Sequence, residues 1–479
     1  MTFNQTQFAY LDAAALFDLV AHEAWAVMLD SGTIARQPSS RLSWGYDVLA
    51  VRPYTTLVYD GSDTEIRHGT APSRSVPGDP LDIVKAHMPA MPDQAQDLPY
   101  MPGALGYFSY DLARTFESLP AQASDAEQLP PMAVGLYSVI VVIDHAKHQT
   151  VLISDPRQSG ASELFQHWVR LIKVVLSNQG EENPTLQSSC HPANQGGLRC
   201  DALAASFSES SYQKAFERVK QYIVEGDCYQ VNLTNQFATS AHGDAWKTYQ
   251  YLRQISPAPY GAYLNLPFAT VLSNSPESFI QCRDREVVTS PIKGTRPRVR
   301  GNALRDQEVA QSLLNSPKDR AENLMIVDLM RNDLSRSCVL GSVQVPELFA
   351  LHSFANVHHL ISRVTGRLRD NLHALDLLRR CFPGGSITGA PKIRSMQIIE
   401  ELEPCRRGLY CGAIGYLGID GSLETNIAIR TMVVKDGVVR FGAGGGLVID
   451  SDAKGEYQEL LDKASKLLAA LFPEKADAQ

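Results

Sequence analysis

The sequence predicts an α+β protein, and three observations carry that prediction. Runs such as Ser138–Asp144 (SVIVVID) and Gln149–Ser154 (QTVLIS) are apolar and β-branched over strand lengths. Ala161–Leu176 and Ser211–Glu225 carry the helical repeat of apolar positions. Beyond residue 225, helical stretches alternate with strand runs to the C-terminus. Hydrophobic content of 44% and charged content of 20% are those of a folded globular protein. A chain of 479 residues has room for several domains, at roughly 100–200 residues each.

Met1–Ala15 has no basic segment ahead of an apolar core, so no secretory signal is expected. The first region runs over 1–180. Asn178–Cys200 follows, polar, aperiodic and rich in Gly and Pro, and is expected to be a linker or long loop. A second region, 201–475, holds strand runs at Gly261–Leu266, Gly412–Leu417 and Val438–Phe441, and most of the unusual motifs.

The balance of 44 basic against 52 acidic residues, a net charge of −8, argues against a nucleic-acid partner. No apolar run reaches the ~20 residues of a membrane span. Eight cysteines lie apart with no C-x-x-C pair, which suits reduced thiols. A soluble, cytoplasmic protein is expected.

Four motifs can carry chemistry. Gly384–Lys392 (GGSITGAPK) has phosphate-loop spacing, but Ala390-Pro391 stand where Lys-Ser/Thr belong, so an NTPase is excluded. Pro391 suits a helix start, which places Ser386 and Thr388 near helical N–H groups that either bind an anion or are simply capped. Carboxylates form the second motif. Asp319 and Glu322 open one helix, and Glu456 and Glu459 share a face of another whose apolar stripe is Leu460, Ala464, Leu467 and Leu471. They either collect Mg²⁺ or form a solvated face with a Glu459–Lys463 pair. The third is Pro291–Arg298 (PIKGTRPR), a basic turn or an anion site whose arginines depress the Lys293 pKa. The fourth is Gly442–Gly446, where glycines permit positive φ and close backbone approach, or mark a tight turn. Arg430, at the end of a strand-like Asn426–Arg430, can supply a carboxylate fork.

Read in order, PIKGTRPR, KDRAENLMIVDLMRNDL, HHLIS, PGGSITGAPK, RGLYCGAIGY, TNIAIRT, GAGGGLVIDSD and EYQELLDKA resemble the chorismate-utilising enzymes. That family comprises anthranilate synthase large subunits, aminodeoxychorismate synthases, and isochorismate and salicylate synthases. The resemblance is dense from Ser211 to Leu471 and looser through SRLSWGYDVLAV and GALGYFSYDLARTFESLP. It implies an anthranilate-synthase-type fold: two large β-sheets packed as a sandwich, helices outside, and an active-site cleft.

Two positions discriminate within the family. Isochorismate and salicylate synthases activate water with a lysine where this chain has Gln230, which cannot serve as a base. Anthranilate synthases read PIAGT where this chain reads PIKGT, and Lys293 is the mark of the aminodeoxychorismate synthases. The resemblance therefore implies attack of the Lys293 amine on C2 of chorismate, loss of the C4 hydroxyl, and addition of ammonia at C4 with expulsion of the lysine.

The resemblance further implies that Glu277 is the general acid and that Glu322, Glu456 and Glu459 hold Mg²⁺, with Asp319 behind them. Tyr410 and Arg430 are expected to grip the enolpyruvyl carboxylate, with backbone donors from Gly444 and Gly446. Thr295, His359, Ser386 and Lys463 are expected to contact the substrate around its ring. No cysteine sits in a G-x-C-x-G elbow, so ammonia is expected from a separate glutamine amidotransferase, component II. The alternatives are anthranilate synthase component I and a non-catalytic regulatory relative that binds tryptophan near SRLSW.

Overall fold

The computed structural model describes residues 3–32, 45–91, 98, 100–180, 196–354 and 357–473. Its frame is two antiparallel sheets of 13 and 12 strands packed face to face, as the resemblance implies. In the first sheet, strands from Asn4–Ser154 meet those of the later chain where Ala26–Asp30 pairs with Tyr260–Leu266. In the second, Gly103–Phe108 pairs with Ala413–Gly418. Segments 1–180 and 201–475 thus each contribute to both sheets.

Both faces of these strands are covered, which explains the unbroken apolar runs. Ile140 and Val142 point between the sheets with Val27, Leu29, Leu105, Tyr107 and Ile414. Their neighbours Val139, Val141 and Ile143 point outward against helices through Trp168, Phe216 and Leu460. A strand alternates sides residue by residue, so burial of both sides removes the polar alternation. The second sheet is covered on its outer face by helices contributing Ile326, Leu375 and Met396.

The expected Ala161–Leu176 helix runs on to Gly180, and Ser211–Glu225 is realised as Glu209–Val224. The expected loop therefore begins three residues late; 181–195 lie outside the described residues, as does the SRLSW segment, 40–44. Arg199–Cys200 form a short strand pair with Gln230–His242.

Two sequence expectations are corrected here. Gly442–Gly446 is no turn: it lies inside the strand Val438–Leu447, paired with Gln230–His242, and none of its glycines has positive φ. Asn426–Arg430 is not one strand either. Leu423–Asn426 belongs to the second sheet and Thr431–Lys435 to the first, so residues 427–430 cross between them.

No helix among the described residues is long and apolar enough to cross a membrane.

Candidate active site

Two crossings between the sheets build the floor of a cleft. The chain passes from Ala269–Ser275 in the first sheet to Ser278–Arg283 in the second through Pro276-Glu277, and returns through Ile427–Arg430. The crossings brace each other: Ile427 N–H donates to the Glu277 carbonyl at 3.0 Å, and Asn274 N–H to the Arg430 carbonyl at 3.0 Å. Ser275 Oγ donates to the Ile427 carbonyl at 2.6 Å. Arg430 has a φ of 49°, so the backbone turns sharply where its side chain enters the cleft.

The cavity above this floor has a volume of about 640 Å³. Lys293, Glu277, Thr295, His359, Ser386 and Tyr410 line it, as do Arg430, Gly444, Gly446, Lys463, Glu322, Glu456 and Glu459. These thirteen residues, all expected in the site from the resemblance, therefore line one cavity, which Thr388 does not. Asn232, Lys318, Asp319 and Asp462 line it too. Of these, Asn232, Lys318 and Asp462 went unassigned from sequence, although helical spacing puts the last two beside Glu322 and Glu459.

Lys293 and Thr295 come from the strand Ile292–Pro297. Gly294 between them has a φ of 81°, and a Cβ there would lie 2.9 Å from both Asp319 Oδ1 and Leu313 Cδ1. Only glycine lets this strand approach the helix so closely. Burial pushes the Lys293 amine below its ordinary pKa; Glu322 opposes that and Lys463 reinforces it. The neighbouring arginines are not among the main influences on it, contrary to expectation. Arg296 is held by Asp319 at 2.9 Å and Arg298 by Asp306 at 2.8 Å, so their charge is spent locally.

Glu277 is 7% exposed. Burial pushes its pKa up to about 7, against the opposing influence of Ser386, Lys293, the Ile292 N–H and Lys463. Such a carboxyl holds a proton near neutrality and can give it away. Thr295 Oγ1 and His359 Nδ1 are 2.8 Å apart across paired strands. Burial, with Arg430 adding, takes His359 down to about 4, so the ring is neutral.

Arg430 makes no ion pair among the described residues, and burial lowers its pKa. An enclosed guanidinium without an anion has the chemistry to receive a carboxylate. Thr388, read beside Ser386 as either an anion contact or part of a capped helix start, donates its hydroxyl to the Gly384 carbonyl at 3.0 Å and caps no helix. Close approach, not positive φ, explains the glycine strand: a Cβ on Gly442 would lie 2.6 Å from the Tyr410 ring, and one on Gly446 would lie 2.8 Å from Gln230 Nε2.

Three glutamates face one another across two helices. Pro317–Ser335, capped by Ser316, presents Glu322, and Ala453–Leu471, capped by Asp452, presents Glu456 and Glu459. The anticipated stripe Leu460, Ala464, Leu467 and Leu471 is buried, with Glu456 buried at its margin. Burial raises the pKa of Glu322 and of Glu456, and the like charges of Glu456 on the first and Glu459 on the second add to it. Burial pushes Glu459 up, but Lys463, 2.7 Å away, together with Lys293 and Lys318 brings its pKa below the ordinary value. Lys463 also donates to the Gly444 carbonyl at 3.1 Å, so the i,i+4 pair and the cavity role coexist. Among the described residues no three such side chains are gathered closely enough to enclose a metal ion. As a donor set of hard oxygens that repel one another, the three suit Mg²⁺ completed by water or substrate oxygens.

The family model described as chorismate binding enzyme matches residues 37–469. The chain belongs to this family of chorismate binding enzymes. Aminodeoxychorismate synthase component 1 of Klebsiella aerogenes is 43% identical over 460 residues, 95% of each chain. Anthranilate synthase component 1 of Geobacillus stearothermophilus is 36% identical over 390 residues, 79% of this chain and 75% of that one. Among solved structures, anthranilate synthase component I from Streptococcus pneumoniae TIGR4 superposes with a TM-score of 0.76 at 30% identity. The superposition covers 89% of this chain and 92% of that one. The chain is thus similar to relatives bearing two names, aminodeoxychorismate synthase component 1 and anthranilate synthase component 1.

Proposed function

We propose that this chain aminates chorismate at C4 with ammonia, giving 4-amino-4-deoxychorismate, a precursor of 4-aminobenzoate and folate. The observation that carries this reading is Lys293, an amine deprived of solvation beside a protonatable Glu277 in one cavity. The neutral amine attacks C2, the ring double bonds shift, and the C4 hydroxyl departs as water with the proton of Glu277. Ammonia then adds at C4, the double bonds shift back, and the bond from C2 to Lys293 breaks. Arg430 and Tyr410 hold the enolpyruvyl carboxylate, and Gly444 and Gly446 leave room for it against the strand. Thr295, neutral His359, Ser386 and Lys463 orient the ring. Glu322, Glu456 and Glu459 would hold Mg²⁺, which when bound neutralises the ring carboxylate.

The ammonia source in this reading is a separate glutamine amidotransferase, in keeping with the component 1 naming of the relatives. Purified chain with chorismate, Mg²⁺ and ammonium salt should yield a product that keeps the enolpyruvyl ether, identified by mass. Fluorescent anthranilate instead would establish the second reading, the activity for which the Geobacillus stearothermophilus relative is named. Glutamine should support no reaction until component II is added. Glutamate released from glutamine by this chain alone would contradict the division of labour.

Glu322→Gln and Glu459→Gln should each lower turnover by roughly 10³-fold, the worth of several kcal/mol of charge stabilisation. Thermal unfolding should change little, because neither side chain belongs to the apolar stripe. Near-normal turnover of both variants at saturating Mg²⁺, together with unchanged Mg²⁺ affinity by calorimetry, would show the metal to be elsewhere.

A further inference from the structure

Behind the cavity wall lies a guanidinium that faces no open space. Arg407 is 2% exposed. Its Nε and Nη2 donate to the Glu403 carboxylate at 3.0 and 2.6 Å. Nη1 donates to the Ile387 carbonyl at 2.7 Å, and Nη2 also to the Asn232 carbonyl at 2.7 Å. The guanidinium lies over the Tyr110 ring, 4.9 Å from its centroid. Glu403 is fixed in turn by the Thr234 N–H at 2.9 Å.

The two carbonyls that Arg407 grips both belong to cavity-lining residues. Ile387 ends the short turn Gly385–Ile387, whose middle residue is Ser386. Asn232 lies in the strand opposite Gly446, and its N–H bonds to the Thr388 carbonyl at 2.9 Å. The Arg407 carbonyl itself accepts from the Tyr410 N–H at 3.1 Å. One side chain thus ties the Ser386 turn to the glycine-paired strand, while its own backbone anchors Tyr410.

A buried ion pair is a weak source of stability, because desolvation offsets most of the attraction. What a guanidinium supplies is geometry: a planar fork of donors with few alternative arrangements. We propose that Arg407, held by Glu403, is a positioning residue that sets the Gly385–Ile387 turn and so aims the Ser386 hydroxyl, which is buried and has no hydrogen-bond partner among the described residues, at substrate in the cavity. The proposal rests on the cavity being the chorismate site. Misplacement of about 1 Å from a change remote from the chemistry can cost on the order of 10² in rate.

The test is a cycle of substitutions read in kcat and KM with free ammonia. Glu403→Gln with Arg407→Met removes both buried charges together and should lower kcat by roughly 10- to 100-fold. Ser386→Ala should lower it comparably. Combined, the losses should match the larger of the two rather than their product, because both act through the Ser386 hydroxyl. Multiplying losses, or unchanged kcat and KM in the Glu403→Gln/Arg407→Met protein, would overturn the proposal. Should that protein not fold, Arg407→Lys keeps a cation beside Glu403 but cannot span both carbonyls. It should show native-like melting with reduced kcat, and full activity would likewise overturn the proposal. Failure of the unaltered chain to aminate chorismate would instead count against the functional reading.

Discussion

Replacing Lys293 with alanine should lower amination at C4 by at least about 10³-fold, the scale seen when a covalent nucleophile is removed. A lysine at its reference pKa near 10.4 is well under about 1% neutral at pH 7. Burial in the cleft acts against the charged form, and Lys463 assists, while Glu322 and Glu277 favour it. Lys293→Arg should fare no better than alanine, since guanidinium stays protonated and cannot attack. In Lys293→Ala the vacated space opens C2 to ammonia directly, so residual product should include a 2-amino species. Product analysis by mass and fluorescence checks this. Undiminished 4-amino-4-deoxychorismate from Lys293→Ala would reduce the lysine to an anion contact.

Glu277→Gln should cost between about 10² and 10⁴ in turnover, the range for loss of a general acid. The acid must carry its proton, so the active fraction falls as pH rises through about 7. The alkaline limb of the rate profile near that pH should therefore vanish in Glu277→Gln, leaving a low, flatter rate. Stability supplies an independent check. Burial raises the folded pKa from 4.5 to about 7, so across that window the unfolded chain releases the proton first. The ionised carboxylate then costs stability that is fully felt above about pH 7. Glu277→Gln should accordingly melt higher than the unaltered protein at pH 8 and close to it at pH 4. An unchanged alkaline limb would assign the proton to another group.

Much of this site could be read from the sequence because its residues lie in short local patterns. Helical spacing alone puts Glu456, Glu459 and Lys463 side by side at the margin of the Leu460, Ala464 and Leu467 stripe, as found. Strand periodicity failed at Gly442–Gly446, where glycine's poor strand propensity suggested a turn. The reason is tertiary: Tyr410 and Gln230 leave no room for a Cβ. The arginines of PIKGTRPR misled in the same way, since their partners Asp319 and Asp306 lie on helices that sequence does not dock against the strand. Arg430 looked like the end of a strand because nothing local marks a crossing between sheets. Arg407 escaped attention entirely, its partners Ile387 and Asn232 being 20 and 175 positions away.

The central claim is that Lys293 becomes bonded to the substrate. Mixing the chain with chorismate and Mg²⁺ in the absence of ammonia, quenching in acid, and mapping peptides by mass tests it most directly. The account predicts that the peptide containing Lys293 gains the mass of chorismate less one water, and that Lys293→Ala gains nothing at that position. An unmodified Lys293 peptide in a preparation that aminates C4 once ammonia is supplied would contradict it.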